Sequence, residues 1–333
     1  MLRTPIADFT LRLCEWIAPS DPSLLAFLSD KQPDVMVASP TNLRFSEETD
    51  FLKAARRLRI PTAIQVLTWD NLSTKGLVQI LPDRLFVWND RQYRDVREIH
   101  RVPQRDLSTV GSPFFDKWFD KVDGTSSREA DCRRLGLDPE KKILLYLGSS
   151  KNIAKDESWF IEEVVEALAA NSDSRVQDFQ ILIRPHPANA KRYQRLSEAS
   201  LCVFPEGRAL PETRQRLADA ALGINTSGMT DAVLADLPTF SVRLSRYVET
   251  QTSAEHFRHL ERFDVLYLCQ DQPALIEARK DLVDGRDPKA SSRCEFRHQF
   301  ARPRGLERPA GDVVAQEVID LADTPRIGRS FWT

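Results

Sequence analysis

Short apolar runs alternate with helical stripes along most of this chain. Asp34-Val-Met-Val-Ala-Ser39, Pro61–Thr68, Arg84–Trp88 and Leu107–Val110 read as strands in the N-terminal part. Lys142–Leu147, Ile181–Ile183, Leu201–Phe204, Leu222–Ile224 and Pro238–Val242 read as strands further on, the last of them the final clear one. Runs of this length bounded by turn residues suit strands buried in a sheet. Between them, apolar positions recur at helical spacing. Phe51, Leu52, Ala55 and Leu58 follow the cap-like Ser46-Glu-Glu-Thr49, and Phe160, Val164, Val165 and Leu168 line one side of 159–169. Further helices are expected over Ala7–Ile17, Pro22–Leu28, from Asn89-Asp90 to His100, and over 193–199, 212–220, 229–235, 252–263, 272–282 and 311–322.

Alternation of strand and helix is the pattern of a parallel α/β sheet. It halts at Asp123-Gly-Thr-Ser-Ser127 and then restarts. The economical architecture is two consecutive α/β domains with a cleft between them. The expected limits are 1–124 and 136–305, a linker at 125–135, and a C-terminal helix and tail over 306–333. A helix at Val313–Leu321 is expected to pack back on the first half.

A length of 333 residues suits two domains, and 41% apolar residues suffice for packed cores. The net charge of −2 gives no general attraction to nucleic acid. Cations nevertheless crowd one stretch, from Arg279 and Lys280 through Arg286, Lys289, Arg293, Arg297, Arg302 and Arg304 to Arg308. That stretch reads as a solvated face or as a peripheral contact with an anionic membrane. Five scattered cysteines without a C-x-x-C pair argue against a zinc or redox motif and fit a reducing cytoplasm. The N-terminus shows no signal-peptide pattern, and no run approaches a spanning helix.

Candidate chemistry lies where the strands stop. Ile181-Leu-Ile-Arg-Pro-His-Pro187 ends an apolar run in Arg184 and His186. Leu222-Gly-Ile-Asn-Thr-Ser-Gly-Met-Thr-Asp231 ends another in Asn225, Thr226, Ser227 and Gly228 at a helix start, with Asp231 one turn on. In an open parallel sheet, ligands bind beyond the carboxyl ends of the strands. Backbone N–H groups at a helix start favour an anion, and a guanidinium forks onto phosphate oxygens. Gly148-Ser149-Ser150-Lys151 closes the first strand of the second half, without the G-x-x-x-x-G-K-[ST] pattern of a P-loop. In the first half, Trp69-Asp70-Asn71 and Lys75 follow a strand. Asp70 is the candidate base, and Trp69, Asn71 and Lys75 are candidates for holding an acceptor. Each residue also has an ordinary reading: a helix cap for Ser227, an ion pair for Arg184, an Asx-turn for Asp70. His256 and His259 have metal-like spacing but no third ligand in view.

Arg184-Pro-His-Pro187, then Asn225-Thr-Ser-Gly-Met-Thr-Asp-Ala232, then Leu237-Pro238 before a strand resemble the donor-binding half of GT-B glycosyltransferases. The resemblance is closest to bacterial capsule and envelope enzymes and to CDP-glycerol glycerophosphotransferases. Val110-Gly-Ser-Pro-Phe-Phe-Asp116 resembles the end of the first domain in that superfamily and in UDP-N-acetylglucosamine 2-epimerases. One departure is the missing first strand with a Gly-rich loop before Asp34. The resemblance implies two Rossmann-like domains. It also implies a nucleotide-sugar or CDP-alditol donor and a glycan or lipid-linked acceptor, with no metal or other cofactor. The implied setting is cytoplasmic assembly of bacterial surface polysaccharide. Donor contacts would come from Gly148, Ser149, Ser150, Lys151, Arg184, Asn225, Thr226, Ser227, Gly228 and Asp231, with Asp70 and His186 catalytic. The alternatives are a 2-epimerase-like enzyme and a non-catalytic nucleotide-sugar or glycan-binding subunit.

Overall fold

The computed structural model describes residues 5–39, 42, 46–119, 127–177, 179–198, 202–203 and 217–324. The chain forms two compact units, Met1–Asp116 with His298–Thr333, and Lys117–Arg297. Of the expected linker, Thr125 and Ser126 lie outside the described residues. Arg128–Leu135 is a helix of the second unit, capped by Ser127.

The first unit holds a four-stranded sheet of β1 (Met36–Ala38), β2 (Thr62–Gln65), β3 (Arg84–Val87) and β4 (Leu107–Thr109), all parallel and in chain order. Right-handed crossovers that always advance in one direction put the connecting helices on one face. Side chains alternate along a strand, so the other face needs a separate cover. Ala63, Phe86 and Val110 point to that second face. Val313 and Leu321 of the helix Ala310–Ala322 pack there. The C-terminal helix therefore completes the N-terminal sheet, as expected, and the returning segment begins already at His298. Met36 packs with Leu28, Ala54 and Ala55.

Asp116 fastens this return. Its carboxylate accepts from the N–H groups of Ala310 (2.9 Å) and Gly311 (2.7 Å), satisfying donors at the helix start. It also accepts from Arg302 Nε at 2.8 Å, and the Arg302 side chain is only 5% exposed.

The second unit holds β5 (Lys142–Leu147), β6 (Phe179–Arg184), β7 (Cys202–Val203), β8 (Ala220–Gly223), β9 (Thr239–Val242) and β10 (Leu266–Cys269). All are parallel, in the order β10-β9-β8-β5-β6-β7. Counted from β5, this is the doubly wound 3-2-1-4-5-6 arrangement. Its core joins Leu144, Tyr146, Ile181, Ile183, Leu222 and Phe240 to Phe160, Val164 and Leu168 of the helix Ser158–Ala170.

Three expectations change. Pro238–Val242 is not the final strand, because β10 adds an edge beyond β9; four residues acquire strand character only through that pairing. The helix expected over 212–220 falls largely outside the described residues, and its last residue, Ala220, begins β8. The helix expected over 193–199 is a 3-10 helix over Pro187–Glu198.

Asp116→Ala is expected to strand the buried Arg302 charge and uncap the C-terminal helix, at a cost of about 3–5 kcal/mol. Hydrogen exchange across 310–322 checks this, and protection equal to wild type would contradict it.

Candidate functional site

The strand order reverses between β5 and β8. One connection leaves β5 toward β6 and the other leaves β8 toward β9, so the two turns diverge and open a crevice at the strand ends. Gly148 follows β5, and Asn225–Gly228 lie just beyond β8.

Gly148 is held tightly. Its N–H donates to Arg184 O at 2.8 Å. A Cβ there would lie 2.9 Å from His186 N and 3.1 Å from the Pro185 Cα, both backbone atoms that cannot swing aside. Glycine thus lets the ends of β5 and β6 touch. Ser149 is buried, and its N–H donates to the Glu157 carboxylate. Its hydroxyl receives the Asn225 N–H at 3.4 Å, tying the two diverging turns together. Its carbonyl accepts from Asn189 Nδ2 at 3.0 Å. Ser150 is half-buried, and Lys151 is exposed.

Asn225 is fully buried and donates through Nδ2 to Gln251 O at 2.6 Å. Gln251 in turn donates to Ile224 O, the Ser241 hydroxyl and Val242 O, each at 3.0 Å. Asn225 therefore braces the turn from within and is not a surface ligand group. Thr226 is the N-cap of the helix Ser227–Leu234 and accepts weakly from Gly228 N at 3.4 Å. Ser227 stands exposed at the first helical position.

Arg184 reaches this helix start. A Cβ on Gly228 would lie 3.1 Å from Arg184 Nη1. A guanidinium therefore sits against the positive end of a helix, two like partial charges facing each other. Its Nε is buried without a hydrogen-bond partner. Burial lowers the guanidinium below its ordinary range, and the Asp231 carboxylate opposes that shift. His186 Nδ1 accepts from Ala188 N at 3.2 Å, which assigns the ring proton to Nε2. Burial and the Arg184 charge hold the imidazole below its usual value, so near neutrality it is uncharged and donates through Nε2. A narrow, mainly apolar hollow borders Gly228 and Asp231, lined by Trp118, Leu145, Leu147 and Leu237.

The structure thus gathers Gly148, Ser149, Arg184, His186, Thr226, Ser227, Gly228 and Asp231 at one set of strand ends. Sequence reasoning missed Glu157, Tyr193, Asn189 and Gln251. Glu157 is buried and accepts from Tyr193 Oη at 2.7 Å beneath the Ser149 turn. Its only sequence signal was a carboxylate placed just before an apolar helix.

In the first unit the expected acceptor loop is occupied with itself. Asn71 is buried, and its Oδ1 accepts from Leu67 N (3.1 Å) and Thr68 N (2.6 Å). This corrects its assignment as an acceptor contact: the amide oxygen is spent on backbone donors of its own turn. Asp70 accepts from the Thr68 (2.8 Å) and Thr74 (2.9 Å) hydroxyls and pairs with Lys75 at 3.4 Å. Burial would raise its carboxyl, but these hydrogen bonds and the Lys75 charge outweigh it and leave it below the ordinary range. A depressed carboxyl is a weak base, the opposite of what proton abstraction near neutrality requires. Trp69 is half-buried and Lys75 exposed.

Most of the basic run is paired from within. Arg293 pairs with Asp287 at 2.7 Å, Arg297 with Asp236 at 3.2 Å, Arg302 with Asp116 at 2.8 Å and Arg304 with Glu317 at 2.7 Å. Lys280, Arg286 and Lys289 pair with Glu277, Asp281 and Asp264. Arg279 is buried over the Phe179 ring at 4.1 Å. Seven of the nine cations in 279–308 thus have carboxylate partners, which favours the solvated-face reading of that stretch. A count of cations along the chain cannot see the acids that folding sets beside them.

Two parallel α/β units, the second doubly wound with its polar turns at the switch point, define the GT-B fold that the Arg184–Pro187 and Asn225–Ala232 motifs resemble. Solved structures similar to this chain include the UDP-GlcNAc 2-epimerase of Neisseria meningitidis bound to UDP-GlcNAc, at 13% identity and TM-score 0.60 over 96% of this chain and 83% of that one. A glycosyltransferase of Rickettsia africae matches at 8% identity and TM-score 0.53 over 98% and 84%. The wall teichoic acid polymerase TagF matches at 10% identity and TM-score 0.51 over 90% and 86%. At such identities the likeness establishes the fold and not the reaction. No family model and no curated protein sequence matches the chain.

Burial raises the Glu157 carboxyl above its ordinary 4.5, so the folded protein favours the protonated form. Stability from this group is fully present below about pH 4.5 and is lost as pH rises through the raised folded value. Glu157→Gln keeps an acceptor for Ser149 and Tyr193 and removes the titration. Its urea midpoint is expected to stay level across the window in which the wild-type midpoint falls; parallel pH profiles would refute this.

Proposed function

We propose that this protein is an enzyme that grips a nucleotide-activated donor by its diphosphate in the second unit and transfers the attached glycosyl or glycerophosphoryl group to an acceptor hydroxyl. The observation that carries the reading is Arg184 set against the N-terminus of the helix Ser227–Leu234 at the switch point. Two positive groups face one another there with the Asp231 carboxylate opposing them only in part, and a diphosphate would supply further negative charge.

Chemistry follows from the same charges. Negative charge grows on the nucleotide phosphate as the bond to the transferred group breaks. Arg184, the exposed Ser227 hydroxyl and backbone N–H groups at the helix start would stabilise it in place. A neutral His186 donating through Nε2 would add a hydrogen bond to a phosphate or leaving-group oxygen. With this set of donors, the proposed transfer uses no metal. Asp231 offsets the Arg184 charge and is assigned to hydroxyl groups of the donor. Lys151, exposed on the neighbouring turn, is assigned to the donor phosphates. In the first unit, Trp69 and Lys75 keep the acceptor role expected of them. Asp70 orders their loop, its carboxylate being already engaged, and the acceptor hydroxyl gives up its proton to solvent as its oxygen bonds to the transferred group. Bacterial surface-polysaccharide assembly is the proposed setting.

A second reading is a 2-epimerase-like enzyme, because solved structures of this fold include a UDP-GlcNAc 2-epimerase as well as transferases. The two readings share the donor seat and differ in what happens to the donor alone. An epimerase converts a nucleotide sugar to its epimer without an acceptor. A transferase releases free nucleotide slowly by transfer to water, and a binding subunit leaves the donor unchanged. Nuclear magnetic resonance of UDP-, CDP- and GDP-linked donors mixed with the protein distinguishes all three.

The donor seat is tested by Arg184→Ala. Loss of a charged hydrogen-bonding partner is expected to weaken nucleoside diphosphate binding about 10- to 100-fold. Calorimetry with UDP and CDP measures it, and unchanged affinity would remove the seat.

A further inference from the structure

Each polar atom of Ser149 is engaged from inside the protein. Its N–H donates to Glu157 Oε1, its carbonyl accepts from Asn189 Nδ2, and its hydroxyl accepts from the Asn225 N–H at 3.4 Å. Ser149 thereby joins the turn after β5 to the turn that leads from β8 into the helix Ser227–Leu234. Whatever fixes Ser149 fixes both walls of the crevice. Asn189 also donates to Ala154 O at 3.3 Å, which closes the loop beyond Ser149.

Glu157 is the acid beneath this turn, and it is 1% exposed. Tyr193 Oη donates to the same oxygen that Ser149 reaches, at 2.7 Å. The groups that face the carboxyl are the Tyr146 hydroxyl from β5, the Tyr193 hydroxyl from the 3-10 helix Pro187–Glu198, and the N–H and hydroxyl of Ser149. None of these is a cation. The second oxygen, Oε2, is buried without a hydrogen-bond partner among the described residues. The adjacent carboxylate, Asp156, pairs at the surface with Arg192 at 3.4 Å. A buried carboxylate with one oxygen engaged and no counter-ion is costly as an anion, and a proton relieves it. A diphosphate arriving at the turn acts in the same direction, because it repels an ionised Glu157 behind that turn.

We propose that Glu157 is a positioning residue of the donor seat, acting through Ser149, and that a diphosphate-linked donor binds with uptake of a proton at its carboxyl. The inference rests on the donor seat proposed above and adds the residue that sets it. A protonated carboxyl keeps Oε1 as the acceptor for Ser149 and Tyr193, so the turn stays in place. Ionisation sets a negative charge behind the turn and weakens the seat. Donor affinity is therefore full below the raised value of this carboxyl and falls as pH rises through it.

The test is calorimetry of the full chain with UDP-N-acetylglucosamine and with CDP-glycerol, in buffers of different ionisation enthalpy, from about pH 5 to pH 9. Both donors are diphosphate diesters without the second ionisation of a monoester, so a proton counted is the protein's. Wild type is expected to take up a proton, and its affinity to fall about three- to ten-fold per pH unit above the raised value. Glu157→Gln keeps the acceptor, so its affinity should stay level with pH and its uptake should vanish. Glu157→Ala should bind about ten-fold more weakly at every pH. A purely structural Glu157 would lower the thermal midpoint of Glu157→Gln and leave the wild-type pH slope in place. That shared slope would overturn the proposal, as would wild type that binds without proton uptake. So would uptake that survives in Glu157→Gln and is lost in His186→Gln, which would assign the proton to the imidazole. Arg184→Ala, run in parallel, separates the two levels. Unchanged affinity there removes the seat itself, whereas lost affinity there with no uptake in wild type removes only the role of Glu157.

Discussion

The reversal of strand order between β5 and β8 is the constraint on which the second unit depends. Two neighbouring parallel strands send their connections opposite ways, and the space between the departing turns cannot be filled by either. The chain lines that space with short polar residues. Gly148 permits the close approach of β5 and β6, and the Ser149 hydroxyl links to the Asn225 backbone across the reversal. Arg184, at the end of the adjacent strand, is thereby delivered to the start of the helix that follows β8. The electrostatic character of the site is a consequence of topology: a helix N-terminus and a guanidinium share one end of the sheet.

Holding such a site requires a layer of buried polar groups behind it. Glu157 takes hydrogen bonds from Ser149 and Tyr193, and Gln251 ties Asn225 to the ends of β8 and β9. These groups are costly to bury unless paired, and the pairing is what fixes the turns. Asn225 illustrates the division of labour. It stands in the middle of the motif that suggested a ligand, yet its amide faces the protein, and the outward positions belong to Ser227 and Arg184. The loop of Asp70 shows the same economy in the first unit, where Asn71 and Asp70 spend their oxygens on neighbouring donors.

Charge is distributed by the same logic. The basic stretch near the C-terminus read as a solvated face or as a contact for an anionic membrane. Folding matches most of its cations to carboxylates, several of them distant in sequence, as with Arg302 and Asp116. The N-terminal helix went the other way: amphipathic on paper, it is anchored by Asp8, Arg12 and Glu15, and its apolar stripe is left outside.

By itself the sequence determined the alternation of strands and helices, the two-unit α/β class and the strand-end positions of Arg184, His186 and Asn225–Gly228. Apolar runs and their polar stops are local signals, and a strand such as Lys142–Leu147 carries them in full. The return of the last helix to the first half was also expected, and the structure supplies the reason in an apolar sheet face that Val313 and Leu321 cover. Only the tertiary structure decided which polar residues face outward. The buried Asn225 amide and the raised Glu157 carboxyl depend on neighbours from other strands or turns, whereas Asp70 and Asn71 are engaged by residues of their own loop once the chain has closed it. The edge strand β10 and the inward polar face of the first helix were likewise decided there. Whether a strand finds an edge, or a helix is held by charges or by its apolar stripe, depends on the surface it meets, and that surface is assembled from residues far away in the chain.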